Sequence, residues 1–324
     1  MGKRPHCKLS SSGASPRDLR YAVKKPKVCD LSGSGIRWRS QLLPAYLKSV
    51  KESRDLLPWL YLKGVSTGEM EAALRGLLGE SASLWANTVS RLKAKWIHEL
   101  QVWQQRDLSQ STYVYWWVDG IYSGVRGDEN KLCSYVIIGV KPNGVKELIA
   151  LEEGYRESEL GWLDCLRSLR DRGLPPAQLA VADGHLGFWK ALPQVYPETK
   201  SQRCWVHKMA NVLEKLPKTQ QPGMKSALHD IYLSASKADA LKVWARCVNR
   251  YEDKYPNAIK CLEKDKAAML SFYDFPAAHW QHVRTTNPIE STFATVRQRS
   301  RQTKNCGTRN AVLSMIFKLI EQAQ

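Results

Sequence analysis

Between Thr112 and Asp183 the hydrophobic pattern leaves the helical period and becomes strand-like, and this switch restricts the fold more than any other feature of the chain. "TYVYWWVDGIYSGV" is rich in aromatic residues and valine. "KLCSYVIIGVKPNGVKELIALEEGY" reads as two further strands around the turn "KPNG". The pattern then alternates: an amphipathic helix in "SELGWLDCLRSLRDRG" that stops at Gly173, a short apolar strand in "AQLAVADG", a helix in "GFWKALPQVYP", and a strand passing into a helix in "SQRCWVHKMANVLEKL". Three antiparallel strands followed by further strands and helices predict an α/β fold with a mixed sheet.

The flanking segments are different. Residues 1–40 lack apolar periodicity and are rich in Ser, Gly, Pro and Lys, which predicts a flexible basic arm. Residues 41–106 read as a helical region. In "STGEMEAALRGLLGE", Ser66 and Glu69 have capping-box spacing. In "TVSRLKAKWIHEL", Val89, Leu92, Trp96 and Leu100 share one face, while Arg91, Lys93 and Lys95 lie largely off it. Two helices joined by a short turn, the second basic, fit a helix-turn-helix DNA-binding region; a plain helical hairpin has the same pattern. Residues 107–209 hold the first part of the α/β core, 210–283 are helical throughout, and 284–324 form the final helices.

The chain has 324 residues and a net charge of +18. The surplus sits at the ends: residues 1–55 carry 13 Lys/Arg against 4 Asp/Glu, and residues 284–324 carry 7 against 2. Basic ends around a more balanced middle point to a polyanion, and nucleic acid is the expected partner. The eight cysteines include no Cys-x-x-Cys pair, which argues against a zinc ribbon and suits a reducing cytosol. No apolar run approaches the length of a membrane span and no signal peptide is evident, so no membrane role is expected. Of the 12 tryptophans, most are expected in cores.

The chemistry is concentrated in three acids. Asp119 follows "YVYWWV" and Asp183 follows "LAVA", each before a glycine and each expected at or near a strand end. Alone, either Asp-Gly reads as turn chemistry. The third acid, Glu290, heads "TTNPIESTFATVRQRSRQTK", where Asn287 suits an N-cap, Pro288 the first helical position and Glu290 a capping box. Downstream come Arg297, Arg299, Arg301 and Lys304, a run that calls for something anionic opposite. Three converging carboxylates repel unless cations lie between them, and Mg²⁺, with Mn²⁺ as an alternative, is the hard oxygen-seeking ion expected there. Cys204 and His207 form a Cys-x-x-His pair without a second matching pair, so no zinc is expected and a supporting polar role is.

The stretches "LLPWLYLKGVSTGEM", "VDGIY", "ADGHLGFWKAL", "QRCWVHKMANVLEKLP", "YDFPAAHW" and "TTNPIESTFATVRQR" resemble, in order, the transposases of Mutator-type bacterial insertion sequences. The resemblance spans roughly residues 36–320. It implies a ribonuclease H-like catalytic core interrupted by the helical insertion, with a DDE triad of Asp119, Asp183 and Glu290 and with Cys204 and His207 in support. It also implies Mg²⁺-dependent cutting and joining of DNA at element ends, homo-oligomeric assembly on that DNA, and a bacterial cytoplasmic, nucleoid-associated location. The chain departs from the family at a short start, at an end in "IEQAQ", and at Trp85. Those departures set an expectation of impaired end recognition and strand joining. A non-catalytic DNA-binding remnant and a ribonuclease H-like nuclease or resolvase are the alternatives.

Overall fold

A computed structural model of the chain describes residues 50–66, 68–78, 88–125, 131–154, 156–184, 186–303 and 307–323. The arm expected over residues 1–40, Trp85 and Lys304 fall outside the described residues. The chain divides into two compact units, residues 1–95 and 96–324.

In the first unit, α1 (Val50–Leu62) is followed by α2 (Met70–Leu78), and α3 (Thr88–Gln104) begins here and ends in the second unit. Helix α1 stops where Gly64 takes a φ of 106°, a left-handed conformation that glycine adopts without a Cβ penalty. Ser66 and Glu69 then bond to each other ahead of α2, with the Glu69 amide 3.2 Å from Ser66 Oγ and the hydroxyl donating to Glu69 Oε2 at 2.8 Å. Leu56, Leu60, Tyr61, Met70 and Leu74 are buried. On α3, Val89, Trp96 and Leu100 are buried at helical spacing and Leu92 is half-buried.

The second unit is built on a five-stranded sheet. Its strands are β1 (Tyr115–Ser123), β2 (Leu132–Val140), β3 (Lys146–Gly154), β4 (Leu179–Ala182) and β5 (Lys200–Arg203), in the order β3-β2-β1-β4-β5. The pairs β1–β2 and β2–β3 are antiparallel; β1–β4 and β4–β5 are parallel. Gly144, with φ 84°, makes the β2–β3 turn, and its amide donates to the Lys141 carbonyl at 2.9 Å.

Helices α4 (Glu159–Asp171) and α5 (Leu186–Val195) cover one face of the sheet. Ser158 caps α4 by accepting the Gly161 amide at 3.2 Å, and Gly173 ends the helix with φ 86°. Trp116 and Val118 of β1 face this side, in one cluster with Tyr135, Ile137, Trp162, Phe188, Ala180 and Ala182. The alternation of a strand therefore sends Tyr115, Trp117 and Asp119 to the opposite face. That face is covered too, which is why β1, β2 and β4 read as unbroken apolar runs rather than as alternating ones.

After β5 the chain is helical: α6 (Trp205–Leu213), α7 (Gln221–Tyr232), α8 (Lys237–Tyr251), α9 (Pro256–Glu263), α10 (Lys266–Leu270) and, after two short 3₁₀ turns, α11 (Trp280–Val283). This block is tied to the sheet through Gln202 of β5, whose Oε1 accepts the Phe272 amide at 2.8 Å and whose Nε2 donates to the Met269 carbonyl at 3.2 Å. Helices α12 (Asn287–Thr303) and α13 (Arg309–Ala323) complete the unit, α12 against β1 and α13 against β3. Among the described residues, no helix is long and apolar enough to cross a membrane.

Candidate active site

The parallel pairing of β1 with β4 sets the site. Val118 lies opposite Ala182, and the residues that follow them are Asp119, within β1, and Asp183, the first residue past β4. The expectation of two strand ends is corrected for Asp119. Strand β1 runs on to Ser123 because β2 continues to pair with it, and Asp119 sits opposite Val136. The strand end that opens the site is that of β4, which stops at Ala182. Both aspartates are half-buried. Asp119 Oδ1 accepts the Gly120 amide at 2.8 Å, and the Asp183 carbonyl accepts Trp189 Nε1 of α5 at 2.7 Å. Gly184 lets the Arg203 guanidinium approach: a Cβ there would lie 2.8 Å from Nη2.

Glu290 reaches this region from the first turn of α12. The capping box expected from Asn287 is replaced by a contact with Thr286. The Thr286 carbonyl accepts the amides of Ile289 and Glu290, both at 3.0 Å, and so starts the helix. Its hydroxyl donates to Glu290 Oε1 at 2.5 Å. Thr286 is fully buried and rests on Cys204, whose Sγ lies 3.3 Å from the Thr286 amide and 3.2 Å from its hydroxyl. Cys204 is fixed in turn by its own amide, which donates to the Ala182 carbonyl at 2.8 Å, one residue before Asp183.

His207, one turn along α6 from Cys204, closes the arrangement. Its Nδ1 is 3.4 Å from Thr286 Oγ1 and 3.9 Å from Glu290 Oε1. Its pKa is raised to about 9, chiefly by the hydrogen bond with Cys204; burial opposes this, and the charges of Cys204, Asp183 and Glu290 add to it. Asp183 and Glu290 therefore both act on one imidazole. Burial pushes the Cys204 thiol up, but hydrogen bonds with His207 and Thr286 outweigh it and leave the thiol below its ordinary value. Cys204, His207 and Glu290 present potential ligand atoms within 4.8 Å of one another. Sequence spacing offered no third partner for the Cys-x-x-His pair; the fold supplies Glu290. Hydrogen bonds through Thr286 already connect the three.

The basic residues separate. Arg297 is exposed on α12, whereas Arg299 is 3% exposed, which corrects its expected place on an open DNA-facing surface. Two residues along a helix is a turn of roughly 200°, so the two arginines cannot share a face. Arg301 lies in the same helix and Lys304 outside the described residues. In the first unit, Arg91 and Lys95 are exposed on α3, while Lys93 is half-buried with its ammonium 5.2 Å from the centre of the Tyr61 ring.

Three features near the site have no sequence signature. The Glu157 side chain lies against Gly120, where any Cβ would collide with it. Burial raises the Cys133 thiol to about 11; a hydrogen bond with Tyr122 opposes this, and the charges of Glu157 and Asp119 add to it. Behind Gly184, buried Arg203 and Lys208 share Asp265, at 3.6 and 2.7 Å. A cavity of about 360 Å³ opens on the Asp119 face of β1, bordered by Tyr115, Trp117, His279, Lys146 and, two residues before Glu290, Pro288.

Residues 33–324 match the family described as Transposase, Mutator family. The chain is 48% identical over 270 residues to the transposase for insertion sequence element IS6120 of Mycolicibacterium smegmatis, covering 83% of either protein. It is 48% identical over 257 residues to the transposase for insertion sequence element IST2 of Acidithiobacillus ferrooxidans, covering 79% of this chain and 87% of the relative. A more distant relative, the transposase for insertion sequence element ISRM5 of Rhizobium meliloti (strain 1021), is 28% identical over 295 residues, 89% of this chain and 72% of its own. A match that takes in β1, β4 and α12 together, and with them all three acids, identifies the chain as a member of the Mutator family of transposases.

Proposed function

We propose that the chain cuts and joins DNA strands at the ends of an insertion sequence, with Asp119, Asp183 and Glu290 as its catalytic carboxylates. The observation that carries this reading is the register of β1 on β4, in which Asp119 and Asp183 follow the paired Val118 and Ala182; Glu290 Oε1, 3.9 Å from His207 Nδ1 at the start of the helix after β5, supports it. The strand order β3-β2-β1-β4-β5, with an antiparallel half and a parallel half, supports a ribonuclease H-like core for the enzyme. Residues 210–283 form the helical insertion that separates the second acid from the third.

The three acids suit Mg²⁺ or Mn²⁺, because carboxylate oxygens are the ligands hard cations prefer and nearby carboxylates need positive charge to remain ionised together. They suit zinc less. A zinc ion on Cys204 and His207 would displace the Thr286 hydroxyl, which already bonds to Glu290. Bound at the carboxylates, the ions would supply Lewis-acid activation of the attacking hydroxyl and charge neutralisation at phosphorus. The protein's own part is placement. Asp119 is held by the ladder of β1 with β2, Asp183 by the tie of its carbonyl to Trp189, and Glu290 by Thr286. Exposed Arg297, seven residues after Glu290, would bind the phosphodiester strand.

In the first unit, α2 and α3 would act as a helix-turn-helix, with Arg91 and Lys95 toward the phosphates and Lys93 partly engaged by Tyr61. Synapsis of two ends requires more than one copy of the chain on DNA, and a DNA-bound oligomer at the nucleoid follows from that requirement. The test is DNA cleavage with Asp119→Asn, Asp183→Asn and Glu290→Gln. Each is expected to abolish strand cleavage and to leave DNA binding largely intact. Loss of binding in step with cleavage would show that the acids are structural. Binding without any cleavage by the unaltered chain would favour a non-catalytic, DNA-binding remnant.

A further inference from the structure

The hydrogen bonds around Thr286 divide the two oxygens of Glu290. A threonine hydroxyl has a single proton and two lone pairs. Two acceptors compete for the proton, Glu290 Oε1 at 2.5 Å and Cys204 Sγ at 3.2 Å. An ionised carboxylate is much the stronger acceptor and is at the shorter distance, so the proton points to Oε1. The sulfur and His207 Nδ1, at 3.2 and 3.4 Å from Oγ1, are then left facing the hydroxyl's lone pairs. The sulfur also accepts the Thr286 amide at 3.3 Å. Thr286 and Cys204 are almost wholly buried, at 0% and 1% exposure, so water can reach this contact only from the side of half-buried Glu290 and His207. A β-branched side chain has few rotamers to choose from, and here its hydroxyl is held from two sides.

We infer that Thr286 is a positioning residue that holds Oε1 of Glu290, so that the carboxylate offers a divalent cation one oxygen, Oε2, in a fixed direction. The inference rests on the reading of Glu290 as a metal-binding catalytic acid and deepens it. It also gives the Cys-x-x-His pair a task. Cys204 and His207 steady the threonine that steadies the glutamate, and the Cys204 amide anchors this chain of contacts to the Ala182 carbonyl, beside Asp183. The second and third acids are thereby linked through Ala182, Cys204 and Thr286, although 107 residues separate them in sequence.

Valine keeps the shape of threonine and removes the hydroxyl; serine keeps the hydroxyl. Partners that orient a metal ligand are typically worth about 10- to 100-fold in metal affinity or activity. Thr286→Val is therefore expected to weaken Mn²⁺ binding to the DNA-free protein, read by electron paramagnetic resonance, roughly 10-fold or more, and to raise the Mg²⁺ concentration needed for cleavage to a similar degree. Thr286→Ser is expected to stay within about threefold of the unaltered protein on both readouts, because its hydroxyl can still donate to Glu290. Melting temperatures report whether each variant is folded. If Thr286→Val unfolds, the pair Thr286→Ser and Thr286→Ala carries the same comparison. Mn²⁺ binding that Glu290→Gln weakens and Thr286→Val leaves unchanged would overturn this inference alone. Mn²⁺ binding that Glu290→Gln leaves unchanged would overturn both it and the reading of Glu290 as a metal ligand.

Discussion

His207 shows how single residues in this site depend on one another. Its pKa is raised to about 9 from 6.5, and the largest cause is the hydrogen bond with Cys204. A raised pKa means that the imidazolium's contribution to stability is complete below about pH 6.5 and is lost as pH rises through about 9. In Cys204→Ala the His207 titration, followed by NMR in the metal-free protein, should fall back toward the ordinary histidine value; an unchanged titration near 9 would remove Cys204 as its partner. At this scale the sequence was legible where local chemistry is enough. Asp183 after "LAVA" and before glycine was visible as an acid at a strand end, and the structure places it there. Thr286 was not visible, because its bond to Glu290 exists only once the helix register brings residues four apart together. Glu157 has no pattern around it and meets Gly120 only through folding.

Helices and strands add constraints that counting residues along the sequence cannot supply. The basic run after Glu290 was read as one surface, but α12 turns Arg299 inward and leaves Arg297 outside. The two substitutions should therefore differ. Arg297→Ala should weaken DNA binding and reduce the slope of log affinity against log salt by about one, with little change in stability. Arg299→Ala should cost roughly 1–3 kcal/mol of stability in a denaturation series, because it removes the packing of a long, buried side chain. Equal melting temperatures for the two variants would contradict this assignment of faces. Helix α4 offers a second test. Alanine is normally favoured over glycine in a helix by about 1 kcal/mol. At Gly161, however, a Cβ would collide with the hydroxyl of Tyr135, whose ring is stacked on Trp162 at 4.3 Å and cannot withdraw. Gly161→Ala should therefore destabilise the protein by about 1–3 kcal/mol despite its better helix propensity. The antiparallel hairpin of β2 and β3 was readable from "KPNG" and its apolar flanks, and the run of β1 from the strand-like "TYVYWWVDGIYSGV"; that Asp119 is paired with Val136 in the middle of the strand was not, since it depends on β2.

At the scale of the whole second unit, the sheet and the helical block stand or fall together at Asp265. Its carboxylate, between β5 and α6 in space, balances Lys208 and Arg203, which are 3% and 8% exposed. Asp265→Asn leaves two buried cations without their counter-charge and should cost about 2–4 kcal/mol, read as a lower urea midpoint for the whole unit. No change would mean that the cations are satisfied elsewhere. The α/β class and the helical character of residues 210–283 were legible from periodicity. The order β3-β2-β1-β4-β5, which brings Asp119 and Asp183 together across 64 residues, comes from long-range pairing that no local pattern records. On the proposed function, this pairing together with Glu290 on α12 makes a metal-dependent DNA-cutting site. That claim is tested most directly by strand cleavage on the element's own terminal DNA in Mg²⁺ or in EDTA, comparing the chain with Glu290→Gln. The account predicts nicking that requires Mg²⁺ and disappears in the variant while DNA binding remains; cleavage that persists in EDTA, or in Glu290→Gln, would contradict it.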